Sequence, residues 1–133
     1  ITASFSFEFY YFNCQSREFK LITKEDEDYK TNYEALWNEL AFLCNNEQAS
    51  PEMLLNPIRR IIETYTKFNG INKNTFYENQ SGAKKLFDVN SHSIDDLEAD
   101  LNGKTKQDII RIMEKCFEEN GSIQHYTNYR QIL

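Results

Sequence analysis

Three side chains that can do acid–base chemistry at a phosphate lie in the middle of the sequence: Arg59, Glu63 and His92. An arginine four residues before a glutamate stands one turn away from it on the same side of a helix. The guanidinium holds anionic oxygens, the carboxylate accepts a proton, and the imidazole titrates near neutral pH. We therefore treat these three residues as one candidate site.

Such a set is sufficient to cut RNA without a metal ion, because the 2′-hydroxyl of RNA can itself attack the adjacent phosphorus. One group must remove the hydroxyl proton and another must protonate the leaving 5′-oxygen, and Glu63 and His92 can divide that work in either order. Arg59 would stabilise the extra negative charge of the transition state. The products would be a 2′,3′-cyclic phosphate and a 5′-hydroxyl.

Each residue also has an ordinary structural interpretation. Arg59 and Glu63 can form a surface ion pair within a helix, although the order arginine before glutamate is the weaker one and contributes only a few tenths of a kcal/mol. His92 lies in the polar sequence Asn90-Ser91-His92-Ser93, where a histidine often serves only as a turn residue.

The helix that carries the pair is marked by its own signals. Ser50-Pro51 and Asn56-Pro57 are both helix starts, so the sequence predicts either two successive helices or one helix kinked at Pro57. Asn69-Gly70 is a stop signal. On a helical wheel, one face of this helix is apolar and is predicted to face the core; it comprises Ile58, Ile61, Ile62 and Tyr65. Arg59 and Glu63 stand on the flank of this face, and Arg60 points away from it.

The remaining elements predict a mainly α fold, a small helical bundle with an N-terminal β-hairpin. Residues 3–12 alternate apolar and polar side chains as a strand does, and residues 17–22 are expected to pair with them across a turn at 13–16. Helices are predicted over 27–45, around 83–87, and from Thr105 to a stop at Asn120-Gly121. The state of the tail, residues 123–133, is not decided by its pattern.

Composition sets further bounds. The chain has 133 residues, enough for a single domain over 1–133, and a net charge of −6, so contact with nucleic acid would need a local basic patch. Three widely spaced cysteines indicate reduced, buried thiols in a cytoplasmic protein and no structural zinc. No stretch is long enough to span a bilayer. Because the chain begins at Ile1, inside an apolar pattern, we expect it to be a fragment of a longer polypeptide.

Several motifs together resemble one family, the C-terminal nuclease region of bacterial anticodon nucleases of the PrrC and RloC type, which are grouped with the HEPN superfamily. The matching residues are Tyr33-x-x-Leu36-Trp37-x-x-Leu40, Asn56-x-x-Arg59-Arg60-x-x-Glu63, Asn90-Ser91-His92-Ser93-Ile94-Asp95, Phe117 to Gly121, and Ile123-x-His125-Tyr126.

This resemblance implies an HEPN-like helical endoribonuclease that cuts tRNA in the anticodon loop during anti-phage defence. It implies the catalytic residues Arg59, Glu63 and His92, no cofactor, and an ATPase domain in the same longer chain. It also implies an inhibitory partner of the restriction type and, because HEPN-like domains commonly pair, a homodimer. The chain itself contains no Gly-x-x-x-x-Gly-Lys-Ser/Thr loop for ATP.

RNA binding would require that Arg60, Lys84 and Lys85 converge with Arg59 on one face, away from the acidic residues of 95–100. Two other functions stay open. The chain can be a non-catalytic regulatory or dimerisation module of an ABC-type ATPase, with Arg59 and Glu63 as a structural ion pair. A protein-binding domain that uses an acidic surface has only the net charge in its favour.

Overall fold

A computed structural model describes residues 14–80, 82–88, 101 and 103–131, and the side chains of 30–80, 82–88, 101 and 103–130. The chain divides into two compact units, 1–34 and 35–133. The described part of the first unit is helical. The second unit contains all the side-chain contacts considered below.

Helix α1 runs over Cys14–Asn45, which corrects the prediction of a hairpin. Residues 17–22, expected to be the second strand of the hairpin, lie inside this helix, which therefore begins well before the predicted start at residue 27. Neither glycine nor proline occurs between residues 14 and 45, and elongation of an existing helix adds one hydrogen bond per residue, so nothing local stops it. The first predicted strand, residues 3–12, lies outside the described residues. The predicted end at Asn45 is confirmed.

Two successive helices follow α1. This confirms the first of the two predicted alternatives, rather than a single helix kinked at Pro57. A short 3-10 helix, Pro51–Leu54, leads directly into α2, Leu55–Phe68. Pro57 is accepted because it lies in the first turn of α2, where amide hydrogens have no partner within the helix. The predicted stop is confirmed, since Gly70 has a left-handed φ of 67°.

Four further helices complete the described part of the second unit: α3 (Lys73–Tyr77), α4 (Ala83–Phe87), α5 (Lys106–Glu119) and α6 (Ile123–Gln131). The predictions for α4 and α5 are confirmed, and residues 123–131 of the undecided tail form α6. Helix α5 begins with a capping box, in which the Thr105 hydroxyl accepts from the Asp108 amide and the Asp108 carboxylate accepts from the Thr105 amide.

The core of the second unit forms where α2 and α5 both pack against α3 and α4. Its largest buried side chains are aromatic, and those from these helices are Phe76, Tyr77, Phe87 and Phe117. Phe76 and Phe117 meet edge to face with centroids 5.0 Å apart. The Asn120 side-chain amide donates to the Phe76 carbonyl (3.0 Å), which fastens α3 to the end of α5.

The thiols of the second unit are free. Cys116 is buried, as predicted, and burial raises its pKa to about 12, whereas Cys44 is half-buried. Among the described residues, no helix combines the length and the apolar character that crossing a membrane requires.

Candidate functional site

Arg59 and Glu63 stand on the flank of α2, as the helical wheel predicts. The neighbouring Ile58, Ile61 and Ile62 are fully buried, whereas the Arg59 and Glu63 side chains are 26% and 33% exposed. Arg59 Nη1 donates to both carboxylate oxygens of Glu63 at 3.3 and 3.4 Å. Arg59 Nη2 donates to the side-chain oxygen of Asn56, one turn earlier. The pair is therefore held in place by α2 itself and is open to solvent on one side.

A second cation, Lys73, reaches the same carboxylate from another helix. Lys73 is the first residue of α3, where the Asn72 side chain caps the helix by accepting from the Asn74 and Thr75 amides. Its Nζ lies 3.6 Å from Glu63 Oε2 and 3.7 Å from Asp88 Oδ1. Lys73 therefore connects the carboxylate of α2 to a carboxylate that follows α4.

The two carboxylates differ in their surroundings. Glu63 is one-third exposed, whereas the side chain of Asp88, directly after α4, is only 7% exposed. A carboxylate buried to this degree needs compensating partners. Lys73 is one of them, although 3.7 Å is an ion-pair contact rather than a hydrogen bond.

The Tyr77 phenol interacts electrostatically with this group of charges. Tyr77 is one turn after Lys73 on α3, and its side chain is buried between Phe76 and Phe87. Burial raises the pKa of its phenol, the Asp88 and Glu63 carboxylates raise it further, and the Arg59 guanidinium lowers it. Among the described residues, no hydrogen-bond partner meets this hydroxyl.

We call Arg59, Glu63, Lys73, Tyr77 and Asp88 the charged cluster. Its cations and carboxylates alternate in sign and balance, so an anion that enters must compete with the carboxylates for the cations. What the cluster offers chemically is two cations from different helices, a carboxylate placed between them, and a neutral phenol as hydrogen-bond donor.

The structure leaves the third predicted catalytic residue undecided, since His92 lies outside the described residues. The predicted RNA-binding residues are all exposed: Arg60 on α2, and Lys84 and Lys85 on α4. Helices α2 and α4 pack on each other, but the convergence of these three cations stays a prediction.

The other histidine, His125, belongs to a different environment. Its ring packs on Tyr65 at 4.3 Å and on Tyr129 at 4.8 Å, and burial lowers its pKa. Tyr65 is two residues after Glu63, so the two side chains project from nearly opposite sides of α2. The Tyr65 hydroxyl donates to Ser122 at 2.8 Å, which holds its ring against α6 rather than near the cluster.

Sequence reasoning missed Lys73, Tyr77 and Asp88. None of the three belongs to the motifs or to the candidate residues named from the sequence. One signal was available: Asn72 is a good helix cap, and a helix that starts there places Lys73 and Tyr77 on one side, one turn apart.

The described chain is thus mainly helical, with a charged cluster at the meeting point of α2, α3 and α4. Against known families, residues 3–118 match the model described as AAA domain. The match covers most of the chain, and the chain belongs to this family, which relates it to ATPases. Comparisons with curated proteins and with solved structures gave no match.

Proposed function

We propose that this chain is an endoribonuclease that cuts tRNA in the anticodon loop without a metal ion, with Arg59, Glu63 and His92 as its catalytic residues. The observation that carries the proposal is the placement of Arg59 and Glu63. They stand side by side and partly exposed on the flank of a helix whose Ile58, Ile61 and Ile62 are fully buried. A guanidinium and a carboxylate so placed can meet one phosphodiester from the solvent side.

The reaction follows from the chemistry of RNA. The general base takes the proton of the 2′-hydroxyl, whose oxygen forms a bond to the adjacent phosphorus. The bond from phosphorus to the 5′-oxygen breaks, and the general acid gives that oxygen a proton. Arg59 binds the non-bridging oxygens, on which negative charge grows in the transition state. Glu63 and His92 are the two proton-transfer groups. The pH dependence of cleavage by each variant would decide which is the general base and which is the general acid.

The biological setting comes from the family resemblance together with family membership. The nuclease would act in the cytoplasm in anti-phage defence, as a homodimer, joined to an ATPase domain in the same longer chain. A partner of the restriction type would keep it inactive until infection. The AAA domain match supports an association with an ATPase.

One observation favours a second function, that of a non-catalytic regulatory or dimerisation module of an ABC-type ATPase. Glu63 is contacted by two protein cations, Arg59 and Lys73, as a structural ion-pair network would require. In that case the charged cluster serves only to join α2, α3 and the end of α4.

The deciding experiment is incubation of the purified chain with total bacterial tRNA in EDTA, followed by mapping of the cut ends. The variants are Glu63→Gln and His92→Ala, with Glu47→Gln, an exposed glutamate before the 3-10 helix, as matched control. We expect discrete anticodon-loop cuts with cyclic-phosphate ends, reduced about 100-fold or more in both site variants and unchanged in the control. Intact tRNA with folded wild-type protein in its native oligomeric state would favour the regulatory module instead.

A further inference from the structure

We propose that Arg59 and Lys73 together form a two-cation phosphate site, which the Glu63 and Asp88 carboxylates occupy in the free protein and which Tyr77 completes as a hydrogen-bond donor. This inference rests on the proposed function, in that the phosphate bound there would be that of RNA. It adds residues from α3 that the sequence motifs do not include.

The spacing of the two cations supports a shared anion. One carboxylate, that of Glu63, lies 3.3 Å from Arg59 Nη1 and 3.6 Å from Lys73 Nζ. Guanidinium and ammonium groups bind carboxylate and phosphate oxygens through the same charge-assisted contacts. The position of the Glu63 carboxylate therefore shows that one small anion can meet both cations.

We expect a bound phosphate to replace contacts that the two cations make with carboxylates in the free protein. Lys73 contacts both carboxylates beyond hydrogen-bond distance, at 3.6 and 3.7 Å. The Arg59 and Lys73 side chains keep 26% and 29% of their surface exposed. The pair between Lys73 and the one-third exposed Glu63 is partly exposed and therefore weak, so a phosphate that offers shorter contacts can displace the Glu63 carboxylate.

Tyr77 supplies an observation that the ion pairs do not explain. Its hydroxyl oxygen is buried, and none of the described residues forms a hydrogen bond with it. A buried hydroxyl without a partner costs stability, so a phenylalanine would serve the core better. The cost is offset if the hydroxyl donates to a phosphate, or to the Glu63 carboxylate once Arg59 has turned to a phosphate.

A purely structural role for Lys73 predicts something different. Lys73 then only compensates the buried Asp88 carboxylate, and removing both charges together would change neither the stability nor the binding of phosphate. The double variant Lys73→Met/Asp88→Asn separates the two roles, because it removes the cation without leaving an uncompensated carboxylate.

The test measures binding of inorganic phosphate from the rise in Tm, relative to chloride at equal ionic strength. The variants are Lys73→Met, the double variant, Lys73→Arg and Tyr77→Phe, with Lys115→Met on α5 as control. We expect the double variant to regain the thermal stability lost in Lys73→Met but to bind phosphate about tenfold more weakly than wild type. Lys73→Arg and the control should bind as wild type.

Tyr77→Phe provides a second, independent readout. If the hydroxyl donates a hydrogen bond to the bound phosphate, this variant melts at the same or a higher temperature than wild type and binds phosphate more weakly. Wild-type phosphate affinity in both the double variant and Tyr77→Phe would overturn the proposal, as would a wild type that phosphate does not protect.

The cleavage assay separates this inference from the proposed function. If tRNA stays intact but phosphate binding depends on Lys73, the nuclease fails and the anion site stands. If tRNA is cut, and Lys73→Met and the double variant both bind phosphate with wild-type affinity and cut with the wild-type kcat/KM, the nuclease stands and the two-cation site is wrong.

Discussion

Glu63 differs from an ordinary surface glutamate in the number and origin of its partners. A typical exposed carboxylate has one cation, often on its own helix, and gains little from it. Glu63 has Arg59 from its own helix and Lys73 from α3. The second partner makes the position of the carboxylate depend on the packing of α3 against α2 as well as on α2 itself.

His125 makes stability depend on pH. Burial against Tyr65, Phe117 and Tyr129 lowers its pKa in the folded protein below the ordinary value of 6.5. Between the two values the unfolded chain binds more protons, so stability is full above about pH 6.5 and falls as pH decreases through the folded pKa. We expect the free energy of unfolding from urea titrations to decrease from pH 7.5 to pH 5.

The variant His125→Gln should lose this part of the pH dependence, while His92→Gln should keep it. An unchanged pH dependence in His125→Gln would show that the ring is not desolvated in the folded state.

At the scale of elements, the capping box of α5 gives a second prediction. Thr105→Ala removes the hydroxyl that accepts from the Asp108 amide. We expect the free energy of unfolding to fall by about 1 kcal/mol. Thr105→Ser keeps the acceptor and is the matched control. Equal urea midpoints for the alanine and serine variants would mean that the cap contributes nothing.

The helices that the sequence predicted correctly have their start and stop signals in or directly beside their own residues. Thr105 and Asp108 begin α5, and Asn69-Gly70 ends α2. The hairpin prediction failed because residues 17–22 alternate weakly, and local alternation cannot reveal that the chain continues as a helix to Asn45.

The candidate site was predictable only in the part that lies on one helix. Arg59 and Glu63 follow from a spacing of four residues on the flank of an apolar face. Lys73 and Asp88 join them only because α3 and α4 both pack on α2, and no periodicity in the sequence encodes that packing.

For the whole molecule, the net charge of −6 means that RNA binding has to come from a few local cations. If Arg60, Lys84 and Lys85 contact tRNA phosphates, replacing all three with glutamine should weaken binding. It should also reduce the slope of log K against log salt concentration by about 2 to 3. The measurement uses His92→Ala protein between about 50 and 200 mM salt, so that the tRNA survives.

Arg111→Gln on α5 provides the control for charge alone, because it also removes an exposed cation. If the slope of the triple variant equals that of the control, these three residues do not face the RNA.

The aromatic packing around Trp37 has a practical consequence. Trp37 is the single tryptophan of the sequence, it is 1% exposed, and it contacts Phe117, Tyr126 and Tyr129. The protein therefore carries a single tryptophan fluorophore, in a dry environment between α1, α5 and α6. Its emission shifts to the red when that packing opens, so unfolding can be followed optically without any attached dye.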